Sequence, residues 1–280
     1  MITFVGAVTT ACSADNVQLL METFYKQGFV VVDGSTLKSE NKLSELADIL
    51  ELGETFVSQY NKTYFPNKSN SDKVAEIGFN EENRDDFAHP VFEESGALGQ
   101  HVDGTFSPLG EVKTTLLLCQ NQAVSGGETT LFNGYGAIKY LESIDSKLVD
   151  VLKDKSALRR RSTFNGINEE MTDCVFGLDS IYEREIIRLA FDSSADWESG
   201  YELVPNLKEA VERLMALYNE QGEFFLQFML NEGDVIVMDN TRITHGRTKF
   251  THDLNNPRMM HRSVHQKLPL ASMAKFSQAA

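Results

Sequence analysis

The tripeptide His101-Val102-Asp103 sets an imidazole and a carboxylate two residues apart. On an extended strand, side chains at i and i+2 leave the same face, so both can reach one ion. A second imidazole brought in from a distant segment would complete two histidines and a carboxylate on one face of an octahedral ion. That is the donor set of non-haem iron(II). It leaves three coordination positions open, enough for a bidentate 2-oxo acid and dioxygen. Alone the tripeptide is a weak signal, because a surface histidine beside a turn aspartate reads the same way.

Three further stretches give it context. In Asp234-Val-Ile-Val-Met-Asp239-Asn-Thr-Arg-Ile-Thr-His245-Gly246-Arg247 an apolar strand runs through a polar turn to His245 at the start of the next strand. A histidine there sits at a strand mouth and is the expected third ligand; a rim histidine satisfied by its neighbours is the other reading. His89 falls in an irregular region, His252 in a polar turn, and His261 and His265 in the terminal strand, so they fit less well. Arg258 and Arg262 stand four apart on a presumed strand and share a face. Inward-facing guanidinium groups need anions, since burying a lone charge is costly. A guanidinium fork binds a carboxylate in bidentate fashion, and a 2-oxo diacid offers a distal one. An exposed pair on an edge strand is the alternative. In Ser125-Gly126-Gly127-Glu128-Thr129 the glycines allow backbone to approach a ligand closely. The Thr129 hydroxyl can then add a hydrogen bond to the carboxylate gripped by Arg258, although a plain hairpin turn explains the same residues.

These groups need a scaffold. Val17, Leu20, Met21 and Phe24 recur at helical spacing between Ala14 and Gln27, Gly28 stops them, and Phe29-Val30-Val31-Val32 reads as a buried strand. Leu43, Leu46, Ile49 and Leu50 mark a second amphipathic helix. From Ser58 to Gly99 the pattern is polar and irregular, as in a lid or binding loop. Strand signals then dominate, over 113–119, 158–164, 185–191, 223–230, 234–238 and 258–265. One helix interrupts them, with Asn206 as its expected N-cap, Glu209 as capping-box partner and Gly222 as its stop. The expected fold class is mainly β with flanking helices, a two-sheet jelly roll. Residues 1–280 fit a single domain, because β barrels and sandwiches of this length are common.

Composition narrows the function classes. A net charge of −15 speaks against nucleic acid or an anionic membrane surface as partner. No run approaches the roughly 18 apolar residues of a membrane span. Cys12, Cys119 and Cys174 are too scattered for a disulfide framework or zinc knuckle, and with no basic stretch ahead of the short apolar N-terminus a cytoplasmic location is expected. Nothing indicates the oligomeric state.

The stretches QGFVVV, QHVDGTF, SGGETTLF, NEGDVIVMDNTRITHGR and PRMMHR run in that order from Gln27 to Arg262. With them the chain resembles the taurine dioxygenase and clavaminate synthase superfamily of iron(II)- and 2-oxoglutarate-dependent oxygenases. Within it the pattern is most similar to carbapenem synthase and related small-molecule oxygenases. The resemblance implies a double-stranded β-helix that uses Fe(II), 2-oxoglutarate and O2. His101, Asp103 and His245 match the iron ligands. Thr129 and Arg258 match the groups that hold the distal carboxylate of 2-oxoglutarate. Arg262 matches a residue that meets an anionic group of the substrate. The implied reaction oxidises an unactivated C–H bond of a small carboxylate or amino-acid-derived metabolite and releases succinate and carbon dioxide. Hydroxylation, desaturation and ring closure all stay open. The carboxylate of Asp103 argues against halogenation, which needs that ligand replaced by a small residue. Gln100 departs from the taurine enzyme, which has an aromatic residue there, so substrate identity cannot be inherited. Two other readings are a non-catalytic jelly-roll module with a vestigial metal site and a cupin-type enzyme using zinc or manganese. The cupin reading leaves Arg258 and Arg262 unexplained.

Overall fold

A computed structural model describes residues 4, 6–13, 15–65, 73–78, 95–164, 166–219, 221–251, 253 and 255–270. Much of the expected lid, together with His89 and His252, lies outside these residues. The fold is mainly β with flanking helices. The larger sheet has six strands, ordered Thr9–Ala11, Phe29–Asp33, Asp234–Asp239, Thr114–Asn121, Met259–His265 and Ala75–Gly78. A four-stranded sheet runs Phe225–Phe228, Thr129–Phe132, Thr244–Arg247 and Leu98–His101.

The central strands of the larger sheet are apolar on both faces, which is why they read as unbroken hydrophobic runs. Strict period-two alternation divides each strand between two cores. Val30, Val32, Leu116, Leu118, Val235 and Val237 pack outward against Leu20, Met21 and Phe24 of the helix Val17–Gln27 and Leu43 and Leu46 of the helix Lys42–Ile49. Phe29, Val31, Cys119, Ile236, Met238 and Met260 point inward and meet Leu131 of the smaller sheet and Ile243 of the turn before His245. This inner core sets the spacing between the sheets and so the depth of the site they enclose.

A third core lies beyond the smaller sheet. There Phe132 packs with Ile138 and Leu141 of the helix Gly134–Ile144 and with Leu207, Val211 and Leu214 of the helix Leu207–Asn219. The helices Gly134–Ile144, Ser146–Asp150 and Glu198–Leu203 were not expected from the sequence. The first holds three apolar residues on one face and two early glycines, a pattern too thin to stand out locally. Its start is made by Asn133, whose side chain accepts from the Gly136 N–H at 2.8 Å. The expected cap at Asn206 needs correction. Its φ is +67°, in the left-handed region rather than the extended backbone of a capping residue. The helix ends at Asn219, and Gln221, not Gly222, takes the positive φ beyond it.

Expected strands appear with shifted ends: 158–164 shortens to Leu158–Arg161, 223–230 to Phe225–Phe228 and 185–191 becomes Arg184–Ile187. The expected irregular stretch from Ser58 contains the short helix Gln59–Tyr64 and the strand Ala75–Gly78. Among the described residues, no helix is long and apolar enough to cross a membrane.

Candidate active site

Antiparallel pairing brings the two histidines together. The strand Thr244–Arg247 pairs with Leu98–His101 in a register that sets His245 directly opposite His101, and their ring centroids lie 4.5 Å apart. Cross-strand neighbours on one face are within reach of a common ion. The next strand over, Thr129–Phe132, pairs on the other side of Thr244–Arg247. Gly246 makes this close stacking of strands possible, since a Cβ there would lie 2.5 Å from the Leu98 carbonyl oxygen.

Asp103 reaches the same point by another route. Strand pairing stops at His101, and Asp103 lies in a bend two residues on, so pleat alternation does not aim it as the sequence suggested. Asn240 does. Its Oδ1 accepts from the Asp103 N–H at 2.7 Å, and its Nδ2 donates to the carbonyls of Asp103 at 3.1 Å and Val112 at 2.9 Å. Asn240 belongs to the turn that leads to His245, and thus one amide ties two ligand-bearing segments 137 residues apart. The turn itself is closed by Asp239, which accepts from the Thr241 N–H at 3.1 Å and from Arg184 Nη2 at 2.9 Å.

One donor atom each from His101, Asp103 and His245 lies within 4.8 Å of the other two, and all three residues are buried. The Nδ1 of His101 sits 2.9 Å from the Gly99 carbonyl, which leaves Nε2 for an ion. The His245 Nε2 is 3.7 Å from Asp103 Oδ2. That oxygen also accepts from the Thr115 hydroxyl at 2.7 Å, and Oδ1 accepts from Arg262 Nη1 at 2.6 Å. Burial opposes ionisation of Asp103, but Arg262 and the two imidazoles outweigh it and hold its carboxyl well below the usual range. Burial, reinforced by the charges of His101 and Arg262, pulls His245 down to about 3 against the pull of Asp103. Neutral imidazole and ionised carboxylate are the forms that bind a metal. The donor set, two nitrogens and one oxygen with no thiolate, fits iron(II).

Two cavities meet at this cluster, and His101 and Arg262 line both. One is shared with Thr129, His245, Arg247 and Arg258. Arg258 is buried, and among the described residues no carboxylate lies within ion-pair distance of it; its guanidinium carbon stands 5.2 Å over the Phe250 ring. Gly127 runs close beside it, where a Cβ would lie 3.1 Å from Arg258 Nε. A buried guanidinium with no counter-charge among the described residues, in one cavity with a hydroxyl and a candidate metal-ligand cluster, is suited to an anion. The other cavity is walled by Tyr60, Asn61, Phe106 and Asp192. The six residues singled out from sequence therefore surround one locus. Arg262 does so with its Nη1 already engaged by Asp103.

Several members of the site were missed. Gln100 is wholly buried, and its amide donates to Thr130 Oγ1 at 2.7 Å and accepts from Thr244 Oγ1 at 2.8 Å, stitching three strands of the smaller sheet together. Arg160, also wholly buried, donates to the Val102 carbonyl between the two ligands at 3.0 Å. The hydroxyl of Thr115 and the amide of Asn240 complete the set. The only local signal for any of them is a polar residue at the end of an apolar run, as at Thr115 and in the Asp239-Asn240 pair.

A family model described as taurine catabolism dioxygenase TauD, TfdA family matches residues 4–264. A uridine-5'-phosphate dioxygenase of Amycolatopsis sp is 28% identical over 248 residues, covering 88% of this chain and 88% of its own. A uridine-5'-phosphate dioxygenase of Streptomyces sp is 27% identical over 276 residues, covering 94% and 93%. Among solved structures, an asparagine oxygenase in complex with Fe(II), 2S,3S-3-hydroxyasparagine and succinate aligns with a TM-score of 0.63 at 16% identity, over 91% of this chain and 80% of that one. These similarities favour the oxygenase over the binding-module and cupin readings. The chain belongs to the taurine catabolism dioxygenase TauD, TfdA family and is an iron(II)- and 2-oxoglutarate-dependent dioxygenase.

Proposed function

We propose that this dioxygenase oxidises an unactivated C–H bond of a small anionic metabolite, a carboxylate or amino-acid derivative, with release of succinate and carbon dioxide. The observation that supports this best is the buried Arg258, with no ion-pair partner among the described residues, lining the cavity that His101 and His245 also line. A diacid that chelates a metal at one end needs a cation at the other, and Arg258 lines the same cavity as His101 and His245.

In this reading His101, Asp103 and His245 hold iron(II). The guanidinium fork of Arg258, with the Thr129 hydroxyl, takes the distal carboxylate of 2-oxoglutarate. Arg262 meets the anionic group of the substrate while its Nη1 keeps Asp103 oriented. When bound, iron(II) with 2-oxoglutarate and dioxygen supplies the oxidising power for the C–H bond. The protein's part is placement: Thr115 and Arg262 fix the two carboxylate oxygens of Asp103, the Gly99 carbonyl fixes the His101 ring, and burial keeps water from the locus. Relatives that act on uridine 5'-phosphate add a nucleotide to the candidate substrates, because a guanidinium accepts phosphate as readily as carboxylate. We further take residues 1–280 as one catalytic domain built on a double-stranded β-helix. The three buried free cysteines support a cytoplasmic setting.

Succinate release is the test. The protein is incubated with iron(II), ascorbate and 2-oxoglutarate, and a panel of carboxylates, amino acids and uridine 5'-phosphate is added singly. Coupled succinate release is expected with at least one member and none with His101→Ala. Full turnover by that variant would remove the ligand assignment.

A further inference from the structure

The wall of the second cavity holds a charged group that neither the ligand set nor the co-substrate pocket uses. Asp192 lines it, with a side chain only 7% exposed. Its Oδ1 accepts from the Ser194 N–H at 3.1 Å and the Ser194 hydroxyl at 2.6 Å, and its Oδ2 accepts from Arg160 Nη2 at 3.3 Å. Arg160 is locked in turn, donating to Ser194 Oγ at 3.0 Å and to the Val102 carbonyl at 3.0 Å. A carboxylate has about four acceptor positions, and three are filled by these described partners. The remaining one, on Oδ2, has no further hydrogen-bond partner among the described residues; that oxygen is 3.8 Å from His101 Nδ1, and the side chain lines the cavity.

A buried ion pair is weak support for a fold, since apolar residues of similar size do as well. Its rigidity at the edge of a substrate cavity is better explained by recognition. Arg262 lines the same cavity, and the rings of Tyr60 and Phe106, with centroids 4.4 Å apart, add apolar wall for a carbon skeleton.

Resting on the reading above that Arg262 takes the substrate's anionic group, we propose that Asp192 is a specificity-determining residue whose Oδ2 accepts a hydrogen bond from a hydroxyl or ammonium group of the same substrate. The substrate is then a small anion with a hydrogen-bond donor, and donor-free carboxylates are rejected. The discrimination comes from cost. A ligand that fills the cavity without a donor leaves a buried carboxylate position stripped of water.

The test is calorimetric binding to the protein loaded anaerobically with iron(II) and 2-oxoglutarate, using matched probes. L-asparagine is paired with succinamate, which lacks the amino group, and uridine 5'-phosphate with its 2',3'-dideoxy counterpart, which lacks the ribose hydroxyls. The pair whose parent binds shows whether the donor is ammonium or hydroxyl. Wild-type protein is expected to bind that parent about 10- to 100-fold more tightly than the partner lacking the ammonium or ribose hydroxyls, the range of one hydrogen bond to a charged group. Asp192→Asn is expected to abolish that preference while leaving the iron(II) Kd unchanged. Equal binding of both partners by wild-type protein overturns the proposal and needs no variant. So does binding of neither parent by protein that does take up iron(II) and 2-oxoglutarate. A loss of iron affinity in Asp192→Asn also overturns it, because the carboxylate then acts through His101 alone. Failure of iron(II) and 2-oxoglutarate to bind at all would instead remove the underlying assignment.

Discussion

Replacing Asn240 with alanine should weaken the metal site without touching a ligand. The amide makes three hydrogen bonds, one from the Asp103 N–H and two to the carbonyls of Asp103 and Val112, at 2.7, 3.1 and 2.9 Å. Asn240→Ala orphans all three groups at a buried position. Each unsatisfied group costs about 1–3 kcal/mol, and water entering the vacated space recovers part of that, so a loss near the lower end of the sum, about 3 kcal/mol, is expected. Against the ~5–15 kcal/mol that holds a typical domain folded, the variant still folds. Asp103 then loses its link to the turn carrying His245. Loss of a partner that orients a ligand lowers metal affinity about 10- to 100-fold. Urea denaturation of the metal-free protein reads the first effect, and anaerobic titration with iron(II) reads the second. Asn240→Asp serves as the isosteric control. It keeps an acceptor for the Asp103 N–H but sets carboxylate oxygens against two carbonyls, and should fail similarly. A folded Asn240→Ala protein with wild-type iron affinity would refute the idea that this amide aims Asp103.

Two other substitutions separate the roles of neighbouring groups. Arg258→Ala should raise the KM for 2-oxoglutarate about 100-fold, the equivalent of about 3 kcal/mol of charge-assisted hydrogen bonding, yet leave the Tm of the ligand-free protein unchanged or higher, because it removes a buried charge with no described counter-ion. Arg262→Ala should instead raise the KM for the primary substrate, and also reduce iron affinity through its ion pair with Asp103; equal effects of both changes on both ligands would show the division of roles to be wrong. Gly246→Ala sets a methyl group 2.5 Å from the Leu98 carbonyl and 3.0 Å from Gln100 Nε2, an overpacking expected to cost about 1–3 kcal/mol. Scanning calorimetry should show a Tm lower by several degrees, and an unchanged Tm would mean that the paired strands yield.

Chemistry was legible where residue type alone carries it. His101, Asp103 and His245 could be picked out as candidate ligands because few side chains bind iron, and the structure brings their donor atoms together; Arg258 stood out as a candidate anion site because a guanidinium in an apolar strand demands an anion. The manner of their assembly was not legible. Asp103 was expected to be aimed by strand alternation, whereas the strand ends at His101 and Asn240 supplies the aim. Gln100 was read only as a departure from a relative, yet its amide joins three strands. Arg160 and Asp192 stood in no motif, and their pairing joins segments 32 residues apart.

By itself the sequence determined the local grammar of this protein. The unbroken apolar runs in Phe29–Asp33 and Asp234–Asp239 dictate strands with two apolar faces, and the 3.6-residue period of Val17–Gln27 dictates an amphipathic helix, because each pattern is set by neighbours along the chain. Tertiary structure alone decided which strands lie side by side, and with that the register opposing His245 to His101. Those partners are 144 residues apart, and no local preference encodes a contact across such a distance. It arises only when burial of Leu131, Ile236 and Ile243 in one core closes the two sheets on each other.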